Sequence, residues 1–174
     1  MPFIVFLRAA NVGGHQTFQP SAIAKQMAAL DVVNIGAAGT FVIRKPISRA
    51  ALRAEFLKRL PFEPEMMICT ARDVLALANE TTFLSEGSKK DIRPFVSVLA
   101  KRPGKLPKLP ILQPVGASWE VQVVSVIGCF ALSLHRRQGP RGIYPNEVVE
   151  KQFGLPATTR NWNTIEAIYD ILNK

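Results

Sequence analysis

The chain has 174 residues, 48% hydrophobic and 20% charged, the proportions of a folded globule and unlike those of a disordered or collagen-like chain. The 22 Lys and Arg against 13 Asp and Glu leave a formal net charge of +9, and an isoelectric point near 10.0 favours anionic partners such as nucleic acid, nucleotides or phosphorylated metabolites. Its longest apolar run, "VQVVSVIGCFALSL", is interrupted by Gln122, Ser125 and Gly128 and falls short of the ~20 residues a membrane helix needs, so it reads as paired strands.

The first element is "FIVFLRAA", apolar on both alternating faces, which predicts a central strand covered on both sides. The loop "NVGGHQTFQPS" follows, then a helix with Ile23, Met27 and Leu30 on one face and Ala24 and Ala28 beside them. "VVNIGAAGTFVIRKP" predicts strand, turn, strand around Gly36 and Gly39. "SRAALRAEFLKRL" is an amphipathic helix capped by Ser48, with Leu52, Phe56 and Leu60 in one stripe and Pro61 ending it. The strand "PEMMICT" completes the order β-α-β-β-α-β, that of a ferredoxin-like split βαβ unit.

The remainder opens with the short helix "ARDVLALANE" and the strand "RPFVSVLA", followed by a proline-rich connection. Strands "EVQVVSV" and "CFALSLHRR" and helices near 144–153 and 163–173 form a second α+β half. Asn163 or Thr164 is the expected N-cap of the last helix, with Glu166 completing a variant capping box. Both halves contain a glycine-bearing strand pair, "IGAAGTFVIR" and "VIGCFALSLHR", which suggests a duplication.

Basic residues cluster in two stretches. One holds Lys89, Lys90, Arg93, Lys101, Arg102, Lys105 and Lys108, with Asp91 as the nearby counter-charge; the other holds Arg136, Arg137 and Arg141. Taken alone, "KRPGKLPKLP" is a solvated connection, and only its meeting another basic patch in space would change that reading. Cys69 and Cys129 form no CxxC or CxxH pattern and are expected to be buried free thiols of a reducing compartment. "MPFIVFLRAANV" has neither the basic start nor the apolar length of a secretory signal, so a cytoplasmic location is expected.

Two segments stand apart: "FLRAANVGGH" at the start and "GLPATTRNWNTIEAI" at the end. In order, spacing and total length they resemble the bacterial family called domain of unknown function 1697, over essentially the whole chain. The resemblance implies two tandem ferredoxin-like alpha-beta plait halves packed together, divided as 1–72 and 73–174 with the C-terminal helix in the second half. It implies no activity. The chain departs from the family pattern in three places. Ala9-Ala10 stands where the family writes Gly-Ile, Ala37-Ala38-Gly39-Thr40 replaces Gln-Ser-Gly-Asn, and Arg141 to Asn146 occupies the place of a Ser-Lys pair. The second change removes polar side chains on which a shared site would depend.

Candidate chemistry concentrates in the same two segments. Gly13 and Gly14 permit close backbone approach to an anion, and Arg8 and Asn11 stand beside them; the competing reading has the glycines supplying a turn and Arg8 bonding a neighbouring loop. Arg160 can bind phosphate or carboxylate bidentately and Trp162 can stack on a base; the competing reading buries Trp162 and leaves Thr158, Thr159, Asn161, Asn163 and Thr164 to satisfy backbone. The expectation is one anion-receptive pocket at the junction of the halves, formed by the Arg8 to Gly14 loop and the Thr158 to Thr164 segment, with Thr158 to Trp162 as its ligand-binding residues.

His15 and His135 are the two histidines, and a lone loop histidine is ordinarily solvated. No HExxH, Cys/His quartet, GxSxG, P-loop or GxGxxG pattern is present, so neither a metal nor a cofactor is expected and the reading leans away from an enzyme. Two alternatives remain: RNA or single-stranded nucleic acid bound on a sheet face through Phe41 and Phe130, and an oligomer built on the apolar edge "VQVVSVIGCFALSL".

Overall fold

A computed structural model describes residues 1–9, 14 and 17–174. It is a mixed α+β protein whose described residues form two antiparallel sheets, of four and five strands, with six α-helices. Two compact units are distinguished, Met1–Ala76 with Thr164–Lys174, and Leu77–Asn163. The last helix therefore groups with the first unit, where the sequence placed it in the second.

In the first unit β1 (Phe3–Leu7), α1 (Pro20–Gln26), β2 (Val32–Ile35), β3 (Thr40–Ile43), α2 (Arg49–Leu57) and β4 (Met66–Thr70) follow in the expected order, and the sheet runs β2-β3-β1-β4. β1 is central, and its unbroken apolar run has a physical reason. Val5 and Leu7 join Phe41, Ile68 and the helix residues Ile23, Leu52 and Phe56 in one core, while Ile4 and Phe6 on the opposite face are also fully buried. The α1 stripe closes earlier than its spacing predicts, because Ala28–Leu30 tightens into a 3-10 turn. Ser48 caps α2 as expected, its Oγ accepting from the Ala51 N–H at 3.2 Å.

The turn between β2 and β3 is held by Gly39, at φ +78°, where a Cβ would lie 2.9 Å from the Leu7 Cβ. The chain reverses there against β1, and the Leu7 N–H donates to the Gly39 carbonyl at 2.8 Å. A side chain fits neither the dihedral nor the space. After β4, α3 (Ala71–Leu75) is capped by Thr70, whose Oγ1 accepts from the Asp73 N–H and donates to its carboxylate. The hydroxyl of Tyr169 on α6 (Trp162–Leu172) donates to the Val74 carbonyl at 3.2 Å, tying α6 to α3.

The second unit contains α4 (Thr81–Gly87), β5 (Ile92–Leu99), β6 (Ile111–Gln113), β7 (Val121–Ile127), β8 (Phe130–Arg136), α5 (Pro145–Phe153) and β9 (Ala157–Asn161), with strand order β6-β7-β8-β5-β9. Without β6, the order β7-β8-β5-β9 repeats the pattern of the first sheet, with the proline-rich stretch and β6 standing where α1 stands there. Leu99, Val121, Val123, Ala131 and Ala157 form the core beneath Val148 and Val149 of α5.

Two expectations are corrected in this unit. "ATTRN", left by the sequence to satisfy backbone ahead of the last helix, is the edge strand β9, pairing with β5 from Phe95↔Asn161 to Leu99↔Ala157, and α6 begins at Trp162, ahead of the expected caps. Threonines belong on such a strand, since they are β-branched and carry a hydroxyl. "VQVVSVIGCFALSL" forms the expected paired strands, the β7–β8 hairpin, and it lies inside the sheet rather than offering the free edge of the oligomer alternative, because β6 pairs along Val121 to Val123. α4 and β6 were not anticipated: "TTFLSEG" and "ILQ" are too short to show a period.

Candidate functional site

The register of β5 on β8 brings together the two basic stretches that lie some forty residues apart in sequence. Arg93 stands opposite His135, which turns both toward one face, and Arg137 follows directly after β8 and lines the same opening. A cavity of about 360 Å3 opens there, lined by Asp91, Arg93, Phe95, His135, Arg137 and Tyr144. Its volume sits at the small end of the range for ligand pockets, roughly 300–1,000 Å3.

Each lining residue has a local cause. Asp91 takes a left-handed turn at φ 63°, a conformation Asp tolerates better than most residues, and this delivers the chain into β5. Tyr144 is extended at φ −107°, ψ 148°, as the residue ahead of Pro145 must be, and Pro145 starts α5. Its ring lies 5.5 Å from His135 at 31°, and it remains 47% exposed. Phe95 meets His135 edge to face at 5.7 Å.

His135 is only 6% exposed, and its Nε2–H donates to the Ile143 carbonyl at 3.0 Å. Burial pushes its pKa below the ordinary 6.5, against the opposing effects of that carbonyl and of Glu120. The imidazole is thus a neutral, oriented wall and carries no charge near neutral pH. Charge comes from the two exposed arginines. Arg93 donates to the Ile92 carbonyl at 2.9 Å and Arg137 to the Gly139 carbonyl at 3.4 Å; among the described residues neither is within ion-pair distance of a carboxylate. Other basic residues nearby are already engaged. Arg136 donates to the Trp119 and Ala117 carbonyls and lies 4.3 Å above the Trp119 ring, and Lys89 pairs with Glu86 at 2.6 Å.

The residues expected from sequence are placed differently. Arg8 and Gly14 belong to the first unit, and Thr158 to Trp162 to the second. Asn11, Gly13 and His15 lie outside the described residues. Arg8 faces Glu65 at 3.6 Å and its backbone N–H donates to the Glu65 carbonyl, close to the bland reading of that arginine. Gly14 is an exposed turn at φ 76°. Ala9 sits at φ 56° in the left-handed region.

Arg160 is 7% exposed, donating to the Thr158 Oγ1 at 2.7 Å and the Thr159 carbonyl at 3.0 Å, and burial lowers its pKa to about 10. Thr159 exchanges a hydrogen bond with Ser97 at 2.6 Å and donates to Asn146 Oδ1 at 2.7 Å, which ties β9 to β5 and α5. Trp162 is 8% exposed and packs edge to face on Phe83 of α4 at 5.9 Å, while Asn161 is exposed. These contacts give Thr158, Thr159 and Arg160 structural reasons. Phe41 and Phe130, 0% and 3% exposed, are core residues, so the base-stacking role weighed for them is not open to the folded chain.

Sequence reasoning singled out Arg93, Arg137 and His135 without joining them, and missed Asp91, Phe95 and Tyr144 as partners. The alternation Arg93/Phe95 against His135/Arg137 was the available signal; it becomes a site only once the pairing of β5 with β8 is known. Among the described residues there is no cluster of His, Cys, Asp and Glu able to hold a metal ion, and no helix is long and apolar enough to cross a membrane.

No family model matches the chain, and no curated protein matches it. A solved structure, that of the conserved bacterial protein SP0830 from Streptococcus pneumoniae, is similar in fold, with a TM-score of 0.62, 16% identity, and coverage of 98% of this chain and 98% of that one.

Proposed function

We propose that this protein is a cytoplasmic binding module for a small phosphate-bearing ligand, received in the second unit between Arg93 and Arg137. The observation that carries the reading is the cavity itself: two exposed guanidinium groups, without carboxylate partners among the described residues, stand at a ring-lined opening. A guanidinium there is a strong, bidentate phosphate donor, and its attraction exceeds that of a fully solvated lysine. The anionic ligand expected from the net charge thus has a receiving surface, at residues other than the buried Arg160. The family resemblance of the terminal segments and the repeated strand order support a wider reading, a divergent member of that family built from two ferredoxin-like plaits.

Calorimetric titration with ribose 5-phosphate, on the wild type and on the double variant Arg93→Gln/Arg137→Gln, tests the proposal. A hydrogen bond to a charged group contributes about 1.5–3 kcal/mol, so the double variant should bind at least about tenfold more weakly. Binding should also weaken as salt rises. Equal affinity in both proteins would refute the assignment.

A further inference from the structure

We infer that the ligand of the Arg93/Arg137 cavity is a nucleoside monophosphate, its base lying against Tyr144, its phosphate between the two arginines and its ribose hydroxyls facing Asp91. The inference rests on the anion-binding reading and adds the substrate class. Three separate observations support it.

The aromatic surface has no evident role in binding an anion alone. Tyr144 keeps 47% of its surface exposed, in a chain whose other aromatic rings in ring contacts are mostly buried. Its ring is held against that of His135 at 31°, and His135 is fixed in turn by the Ile143 carbonyl and by Phe95. This is a rigid, braced platform with one face of wet tyrosine, the arrangement on which a flat heterocycle stacks. Neutral His135 keeps the platform from adding a third positive charge.

Asp91 is the second observation. A carboxylate beside a pure phosphate site would repel its ligand, yet Asp91 lines the same cavity and stands farther than ion-pair distance from both arginines. A carboxylate only accepts hydrogen bonds, so its place in the cavity calls for a ligand that also donates them, as a ribose diol does. Size is the third. A cavity of about 360 Å3 suits one nucleotide and leaves little room for a dinucleotide.

The test is isothermal titration of the full chain with adenosine 5′-monophosphate, ribose 5-phosphate, adenosine and a single-stranded RNA hexamer, repeated on Tyr144→Leu and Arg137→Gln. Wild type should bind the monophosphate on the order of tenfold more tightly than ribose 5-phosphate, the contribution of one base-aromatic stack. Tyr144→Leu should erase that preference and leave ribose 5-phosphate affinity unchanged, whereas Arg137→Gln should weaken both. If both phosphates bind equally and Tyr144→Leu has no effect, the nucleotide inference fails and the anion reading stands. If adenosine binds as tightly as its monophosphate, or no small phosphate binds, both fail. An RNA hexamer binding far more tightly than the mononucleotide overturns the inference in favour of a nucleic-acid groove.

Discussion

Replacing Gly39 and Gly36 by alanine, one at a time, separates two physical costs that share a single loop. Both glycines have positive φ, +78° and +61°, but a Cβ on Gly39 would lie 2.9 Å from the Leu7 Cβ, whereas a Cβ on Gly36 meets nothing within 4 Å. The left-handed conformation costs an L-residue roughly 1–2 kcal/mol, and loss of glycine's unfolded-state freedom returns roughly 0.5–1 kcal/mol. Gly36→Ala should therefore lose about 0.5–1 kcal/mol. Gly39→Ala bears the same cost plus overpacking against a fully buried leucine, about 1–3 kcal/mol more, for a total near 2–4 kcal/mol. With a urea m-value of about 2 kcal/mol/M, the midpoint read by far-UV circular dichroism should fall by about 0.3–0.5 M for the first variant and about 1–2 M for the second. Equal losses would refute the claim that close approach to β1, rather than the dihedral alone, requires glycine at Gly39. A Gly39→Ala variant as stable as the wild type would also remove the architectural reading of "GAAGT".

Ala9→Gly should raise stability by about 0.5–1 kcal/mol, since φ 56° strains an alanine, and a thermal melt should shift upward by roughly 1–4 °C. Ser133→Ala should be neutral or stabilising by about 1 kcal/mol, because the Ser133 Oγ is fully buried without a hydrogen-bond partner among the described residues; a loss above 1 kcal/mol in urea would show that the hydroxyl is satisfied. The pH dependence follows from His135, whose pKa is held below the ordinary 6.5 by burial. The unfolded chain then binds the proton first, so the contribution is fully present above pH 6.5 and is lost as pH falls below it toward the folded value. Unfolding midpoints measured from pH 7.5 to 5 should fall more steeply for the wild type than for His135→Gln.

The first unit was legible because each element carries a local signal: the doubly apolar "FIVFL", the Ser48 cap, the glycine turn, the apolar "MMIC". The second was legible only in its long strands. β9 was hidden since Thr158, Thr159 and Arg160 are polar, and a polar strand is specified by the partner β5 rather than by its own pattern. The cavity was hidden for a related reason. Arg93 and Arg137 were read as members of separate basic stretches, and strand pairing across β5 and β8, a long-range fact, makes them neighbours. Arg160 drew attention by its rarity of context, which reflects the need to satisfy a buried guanidinium, through Thr158 and the Thr159 carbonyl, at the end of an edge strand.

The measurement that tests the central claim most directly is nuclear magnetic resonance of the arginine side chains, following Nε–H signals during titration with adenosine 5′-monophosphate. Saturable shifts confined to Arg93 and Arg137, with the Tyr144 ring moving in step, are predicted. Shifts at Arg8 and Arg160 with Arg93 and Arg137 unmoved would contradict the account and return the ligand to the terminal segments.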